Sequence, residues 1–183
     1  MLLIELQDQY YDSLKRFVQF HVKKQWIAED IVQESFMKAH KNIDSLNDKA
    51  KAKPWLYKIA WNLCLNFFKK NKKEPEFLLD QNKVASYLTD IQSKMEQDEM
   101  GDCVQNKIQK LPIKLKQVLS LYDIEEFSHK DISLILDISV ETTKTRLHRA
   151  RKALKEILQR ECSFQRDNRD IFVCLPKEKN NDH

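Results

Sequence analysis

The sequence predicts an all-α protein of two small helical domains, and three observations lead there. Glycine occurs once and proline four times in 183 residues, so tight turns and closed sheets are poorly served, while helix-forming Lys, Leu, Gln and Glu are abundant. Apolar residues recur at spacings of three and four along several stretches, which places them on one side of a helix. A polar, weakly periodic segment from Glu74 to Asp102, with eight acidic residues against Lys83 and Lys94, separates those stretches into two groups. The expected partition is 1–73, a flexible acidic linker over 74–102, 103–160, and a tail over 161–183. A chain of this length holds one ordinary domain or two small ones.

In the first group, Leu3, Leu6, Tyr10, Leu14, Phe17 and Val18 form the buried stripe of a first helix. A second helix runs from about Ile27 to Lys41, with Ile31, Val32, Ser35, Phe36 and Ala39 inward and Asp30, Gln33, Glu34 and Lys38 outward. Asn42 to Lys53 loses the period and reads as a loop. Pro54 suits a first helical turn, so a third helix starts there and buries Trp55, Leu56, Ile59, Ala60, Leu63 and Phe67. Lys69 and Lys70 near its end suit the helix dipole without any further role.

The linker has room for a short helix around Val84 to Lys94. Beyond it, Val104, Ile108 and Leu111 predict a helix ended by Pro112, and Leu115, Val118, Leu119 and Tyr122 predict another. Ser128 with Asp131 three residues on is a capping signature. It opens a helix through Ile132 and Leu136, and Asp137 then occupies a tight turn that glycine would fill more easily. Ser139 caps a long last helix whose buried row is Val140, Thr143, Leu147, Ala150, Leu154 and Leu158.

Several function classes are disfavoured. No apolar run reaches the roughly 20 residues of a membrane-spanning helix, and Met1 to Gln7 lacks the features of a secretory signal. A cytoplasmic protein without a membrane partner is expected, with its four scattered cysteines as thiols. A single glycine leaves no phosphate-cradling loop, and the five histidines form no metal-spaced pair. No enzymatic site, cofactor or small-molecule substrate is therefore expected.

Net charge is +4, concentrated in Lys69 to Lys73 and in 144–160. The last two helices read as a helix-turn-helix, whose second helix enters the DNA major groove. Its outward row is Glu141, Thr142, Thr145, His148, Arg149 and Lys152, flanked by Ser139, Lys144 and Arg146. Arg and Lys there can meet phosphates or guanines, and Glu141 can accept from cytosine. The plain alternative is a solvated basic face.

The runs Leu111 to Val118, Phe127 to Ile132 and Ile138 to Arg151 resemble region four of extracytoplasmic-function sigma factors. Independently, Ala28-Glu29-Asp30-Ile31-Val32-Gln33-Glu34-Ser35-Phe36 resembles region two of that family. Pro54-Trp55-Leu56-Tyr57-Lys58-Ile59-Ala60-Trp61-Asn62 resembles the helix after its promoter-melting loop.

The resemblance implies a factor that binds core RNA polymerase and directs promoter-specific initiation, with promoter DNA and an anti-sigma factor as further partners. It implies that Asp30, Gln33 and Glu34 dock on a basic coiled coil of the polymerase. It implies that Asn47, Asp48, Lys49, Lys51, Lys53, Lys58, Trp61, Asn62, Lys69 and Lys70 meet the minus-ten element, and that the helix-turn-helix row meets the minus-thirty-five element. Among the aromatics of the third helix, only Trp61 is read as a base-stacking candidate; the others are spaced as core. Relatives usually carry Gly where this chain has Glu141 and a small apolar residue where it has Thr143, so promoter sequence does not transfer. Asp137 likewise replaces the usual turn Gly.

Two other classes compete. A free-standing helix-turn-helix regulator accounts for the second domain and leaves the first unexplained. A helical interaction module treats both basic clusters as solvated. In the tail, turn-forming residues around Asp167 to Asp170 separate two strand-prone runs, which predicts a short hairpin with Cys162 and Cys174 side by side. Reduced structural thiols are the plain reading of that pair, and a redox or metal-binding pair is the sharper one.

Overall fold

The computed structural model describes residues 3–46, 48–70, 103–166 and 172–176. The first lobe contains α1 (Leu3–Val22), α2 (Gln25–Lys41) and α3 (Ala52–Lys70), each packed on the other two. A two-residue connection, Lys23 and Lys24, reverses the chain between α1 and α2, with Lys23 in the left-handed region at φ 63°. The expected stripes meet in a core of Leu14, Phe17, Val18, Ile31, Val32, Phe36, Leu56 and Ala60. Lys15 and Glu29 pair across α1 and α2 at 3.0 Å. Between α2 and α3 lie short 3-10 turns, Ile43–Ser45 and Lys49–Lys51.

The second lobe begins with a short helix over residues 103–108, α4. There follow α5 (Ile113–Leu119), which runs into a π-helical turn at Ser120–Ile124, then α6 (His129–Leu136) and α7 (Val140–Glu161). The capping residues act as their sequence suggests. Ser128 Oγ accepts from the Asp131 amide at 3.2 Å, and Ser139 Oγ accepts from the Thr142 amide at 3.0 Å; each such cap is worth about 1 kcal/mol. Asp137 ends α6 at φ 54°, ψ 53°, a left-handed turn in which it replaces the easier glycine. Ile132, Ile135, Leu147 and Ala150 are buried between α6 and α7.

At the far end of α7, Glu161 would oppose the helix dipole. It accepts instead from Lys107 at 2.7 Å, Lys110 at 2.6 Å and Arg160 at 3.1 Å. Those hydrogen bonds, Lys107 first, hold its carboxyl down to about 2 and fasten α4 to α7. The chain then forms the expected hairpin, β1 (Cys162–Arg166) antiparallel to β2 (Phe172–Pro176). Its register corrects one detail. Phe164 faces Cys174 and Cys162 faces Pro176, so the two cysteines are diagonal neighbours in the ladder rather than opposed partners.

The larger difference concerns how the lobes relate. The sequence suggests modules joined only by a tether, whereas the structure shows one continuous core through both. The linker and its expected helix at Val84 to Lys94 lie outside the described residues. Because α3 packs on α1 and α2 and also on α6, its buried set is wider than a single amphipathic stripe. Tyr57, Trp61, Cys64 and Phe68 are buried, while Trp55, Ile59 and Phe67 are only partly so. Burial pushes the Cys64 thiol up to about 12, so it is an inert core group.

Across the seam, Gln109 Nε2 donates to the Phe20 carbonyl at 2.9 Å, and its Oε1 accepts from Nζ of the buried Lys116 at 3.1 Å. His21, 2% exposed, is edge-on to Phe17, Phe20 and Trp61. Its Nε2 lies 3.1 Å from Ser120 Oγ, which donates onward to the Gln117 carbonyl, so Nε2 carries the proton. Nδ1 has no partner. Burial, then the neighbouring Lys116, holds the imidazole well below 6.5.

In the unfolded chain His21 protonates near its ordinary value, while in the folded chain it stays neutral. The contribution of His21 to stability is therefore complete above pH 6.5 and falls below it, by at most about 1.4 kcal/mol per pH unit. Urea unfolding of wild type and His21→Gln between about pH 7 and pH 5 should show a smaller slope in the variant. Equal slopes would contradict a buried neutral imidazole.

Candidate nucleic-acid interface

The amino-terminal half of α7 is an open basic surface. Glu141, Lys144, Thr145, His148, Arg149 and Lys152 are exposed and Arg146 is partly so, while Thr143, Leu147 and Ala150 face the core. Lys144, Arg146, Arg149 and Lys152 make no ion pair among the described residues, which leaves their charge available. Ser139 and Thr142 are also at the surface, but their hydroxyls are 2.9 Å apart and serve the helix cap. Ser139 to Lys152 spans about 20 Å along the helix. Arg151, on the same helix, has a different role. It forms a two-pronged pair with Asp123 and stacks 5.2 Å from the Tyr122 ring, anchoring α7 to the π-helical turn.

The second cluster is split. Lys49 and Lys51 are exposed on the loop, and Asn62, Lys69 and Lys70 are exposed on α3, with Lys58 half-buried on the same face as Asn62 and Lys69. Asp48 shapes the loop, since its carboxylate accepts from the Ala50 amide at 2.9 Å. Asn47 lies outside the described residues. Trp61 departs from the stacking role: at 2% exposed it packs on Phe17 and His21, so no base can stack on it in this arrangement. Lys53 is half-buried and points at the second lobe, donating to the Glu125 carbonyl at 2.9 Å.

The third surface is the outer face of α2. Asp30, Gln33 and Glu34 are exposed, and Glu34 pairs with Lys38 at 3.1 Å. The structure adds two residues that the sequence reading passed over. Trp26 is 64% exposed and Met37 is 61% exposed, and they lie one turn before Asp30 and one turn after Gln33 on the same stripe. A signal was present, since both fall outside the buried period of Ile27, Ile31 and Val32. The resulting surface is acidic at its centre and carries one large exposed apolar side chain at each end.

Among the described residues, no three His, Cys, Asp or Glu side chains converge to hold a metal. Cys162 is a buried free thiol. No helix among the described residues is long and apolar enough to cross a membrane.

Comparison with known proteins matches both lobes. Residues 6–74 fit the family described as Sigma-70 region 2, and residues 101–154 fit Sigma-70, region 4. ECF RNA polymerase sigma factor SigM of Bacillus subtilis is 32% identical over 161 residues, covering 87% of this chain and 97% of the relative. SigW of the same organism is 38% identical over 143 residues, covering 72% and 75%. Among solved structures, the Bartonella quintana sigma factor RpoE in complex with the anti-sigma factor NepR shares the fold with a TM-score of 0.60 at 24% identity, covering 84% of this chain and 94% of that one. CnrH in complex with the cytosolic domain of CnrY gives 0.62 at 18% identity, covering 86% and 88%.

A mainly helical chain with an acidic outer face on α2, a basic loop-helix surface and a helix-turn-helix, matched in both lobes, falls in the class of transcription initiation factors. The chain belongs to the extracytoplasmic-function type of the sigma-70 family. It directs core RNA polymerase to promoters. A free-standing regulator is not favoured, because relatives match both lobes in one chain.

Proposed function

We infer that the work is divided by lobe: residues 1–73 act as region two, 103–160 as region four, 74–102 as the tether between them and 161–183 as an extension. Asp30, Gln33 and Glu34, with Trp26 and Met37 at either end, dock on the polymerase. An acidic face suits a basic partner helix, since complementary charge orients the encounter and speeds it.

Lys49, Lys51, Lys58, Asn62, Lys69 and Lys70 follow the minus-ten strand as it opens, which needs positive charge along a backbone and polar groups near an unstacked base. Glu141, Lys144, Thr145, Arg146, His148, Arg149 and Lys152 read the minus-thirty-five duplex. The factor acts by binding and by holding DNA open in the cytosol, and takes no chemical step itself. An anti-sigma factor is a fitting further partner, as the solved neighbour RpoE was captured with the anti-sigma factor NepR.

The observation that carries this reading is the exposed, unpaired basic row on α7 in the same chain as the acidic face of α2. To test it, a promoter is selected from a DNA library with the reconstituted holoenzyme, and its occupancy is measured with and without the minus-thirty-five segment. Arg149→Ala should lose about 1–3 kcal/mol of discrimination for that segment. Occupancy unchanged by the substitution would remove Arg149 from the interface.

A further inference from the structure

We propose that Lys53 and Tyr57 form a subsite for one nucleotide of the opened promoter strand. In the closed chain its own Glu125 and Phe127 fill that subsite, the carboxylate in place of a phosphate and the phenyl ring in place of a base. The inference rests on the assignment of the first lobe to the promoter strand.

The geometry is that of a ligand in a site. Tyr57 Oη donates to Glu125 Oε2 at 2.6 Å, and both residues are buried. The Tyr57 ring meets the Phe127 ring edge-on at 4.8 Å. Lys53 Nζ stands 4.6 Å over the Phe127 ring while donating to the Glu125 carbonyl. A phenolic donor, an ammonium and an aromatic edge are the groups that hold a phosphate and a base face in single-strand binding. Burial and Glu125 hold the Tyr57 phenol well above its usual range, so it remains a donor.

The connector is also unlike ordinary packing. Glu125 is a buried carboxylate with no cation in ion-pair distance among the described residues, an arrangement that costs stability unless something else requires it. It is presented by a π-helical turn, closed by the Glu125 amide donating to the Ser120 carbonyl at 3.0 Å, followed by Glu126 at φ 59°. Both features are locally unfavourable and mark functional segments. Strand and connector therefore compete for Lys53 and Tyr57, and a closed chain binds the strand weakly.

The test uses the full chain without polymerase and a fluorescein-labelled single-stranded DNA 12-mer of randomised sequence, read by anisotropy. Glu125→Ala with Phe127→Ala should bind about tenfold more tightly than wild type. Adding Lys53→Ala and Tyr57→Phe to that pair should return the affinity to the wild-type level or below.

Two results overturn the proposal: no gain from the pair, or a gain that survives loss of Lys53 and the Tyr57 hydroxyl. Circular dichroism checks folding; should the pair not fold, Glu125→Gln keeps the volume and should still give about threefold, and its failure to do so is equally decisive. A wild-type holoenzyme that initiates while these variants show no gain sinks the subsite alone. A wild-type chain that never initiates sinks the assignment of the lobe.

Discussion

Reversing Asp30 and Glu34 together to lysine should weaken binding to core RNA polymerase by about 2 kcal/mol or more, roughly thirtyfold. Both side chains are exposed, and the Glu34 to Lys38 pair lies on the surface, where such pairs contribute at most about 1 kcal/mol. The unfolding midpoint should therefore stay near wild type while the affinity falls. Titrating labelled chain with core polymerase checks this, and a Trp26→Ala variant shows whether the apolar end of the stripe adds to the charge. Unchanged affinity after the double reversal would move the docking surface off α2.

Truncating Phe17 to alanine should cost about 3–5 kcal/mol of stability, a large share of the 5–15 kcal/mol typical of a domain. Phe17 is 2% exposed and its ring contacts His21 at 4.8 Å, Tyr57 at 5.0 Å and Trp61 at 6.2 Å. His21 and Tyr57 bond to Ser120 and Glu125 of the second lobe, so the loss should reach both. Urea unfolding followed by tryptophan fluorescence and by a label on α7 should show both transitions shifted together. A shift in the first lobe alone would contradict a shared core.

The helices were legible because their signals are local. Apolar spacing located α1 to α3 and the helix-turn-helix, and Ser128, Asp137 and Ser139 marked caps and turn by chemistry that acts within a few residues. The outward row of α7 followed from the same period, as did Asp30, Gln33 and Glu34 on α2.

What escaped the sequence is what depends on distant partners. The spacing makes Trp61 a stacking candidate, because one amphipathic stripe cannot reveal a helix covered on two sides. His21 is buried where it meets Ser120 of the other lobe, and Lys53 is turned aside by a carbonyl 72 positions away. The π-helical turn and the left-handed Glu126 carry no sequence signature, since neither glycine nor asparagine marks them.

The most direct measurement mixes the purified chain with core polymerase lacking any sigma factor and follows both complex formation and run-off transcription from a promoter library. A complex that melts and transcribes a defined subset of sequences, with no tight duplex binding by the chain alone, is the predicted result. A chain that ignores the polymerase yet grips a specific duplex by itself would contradict the account.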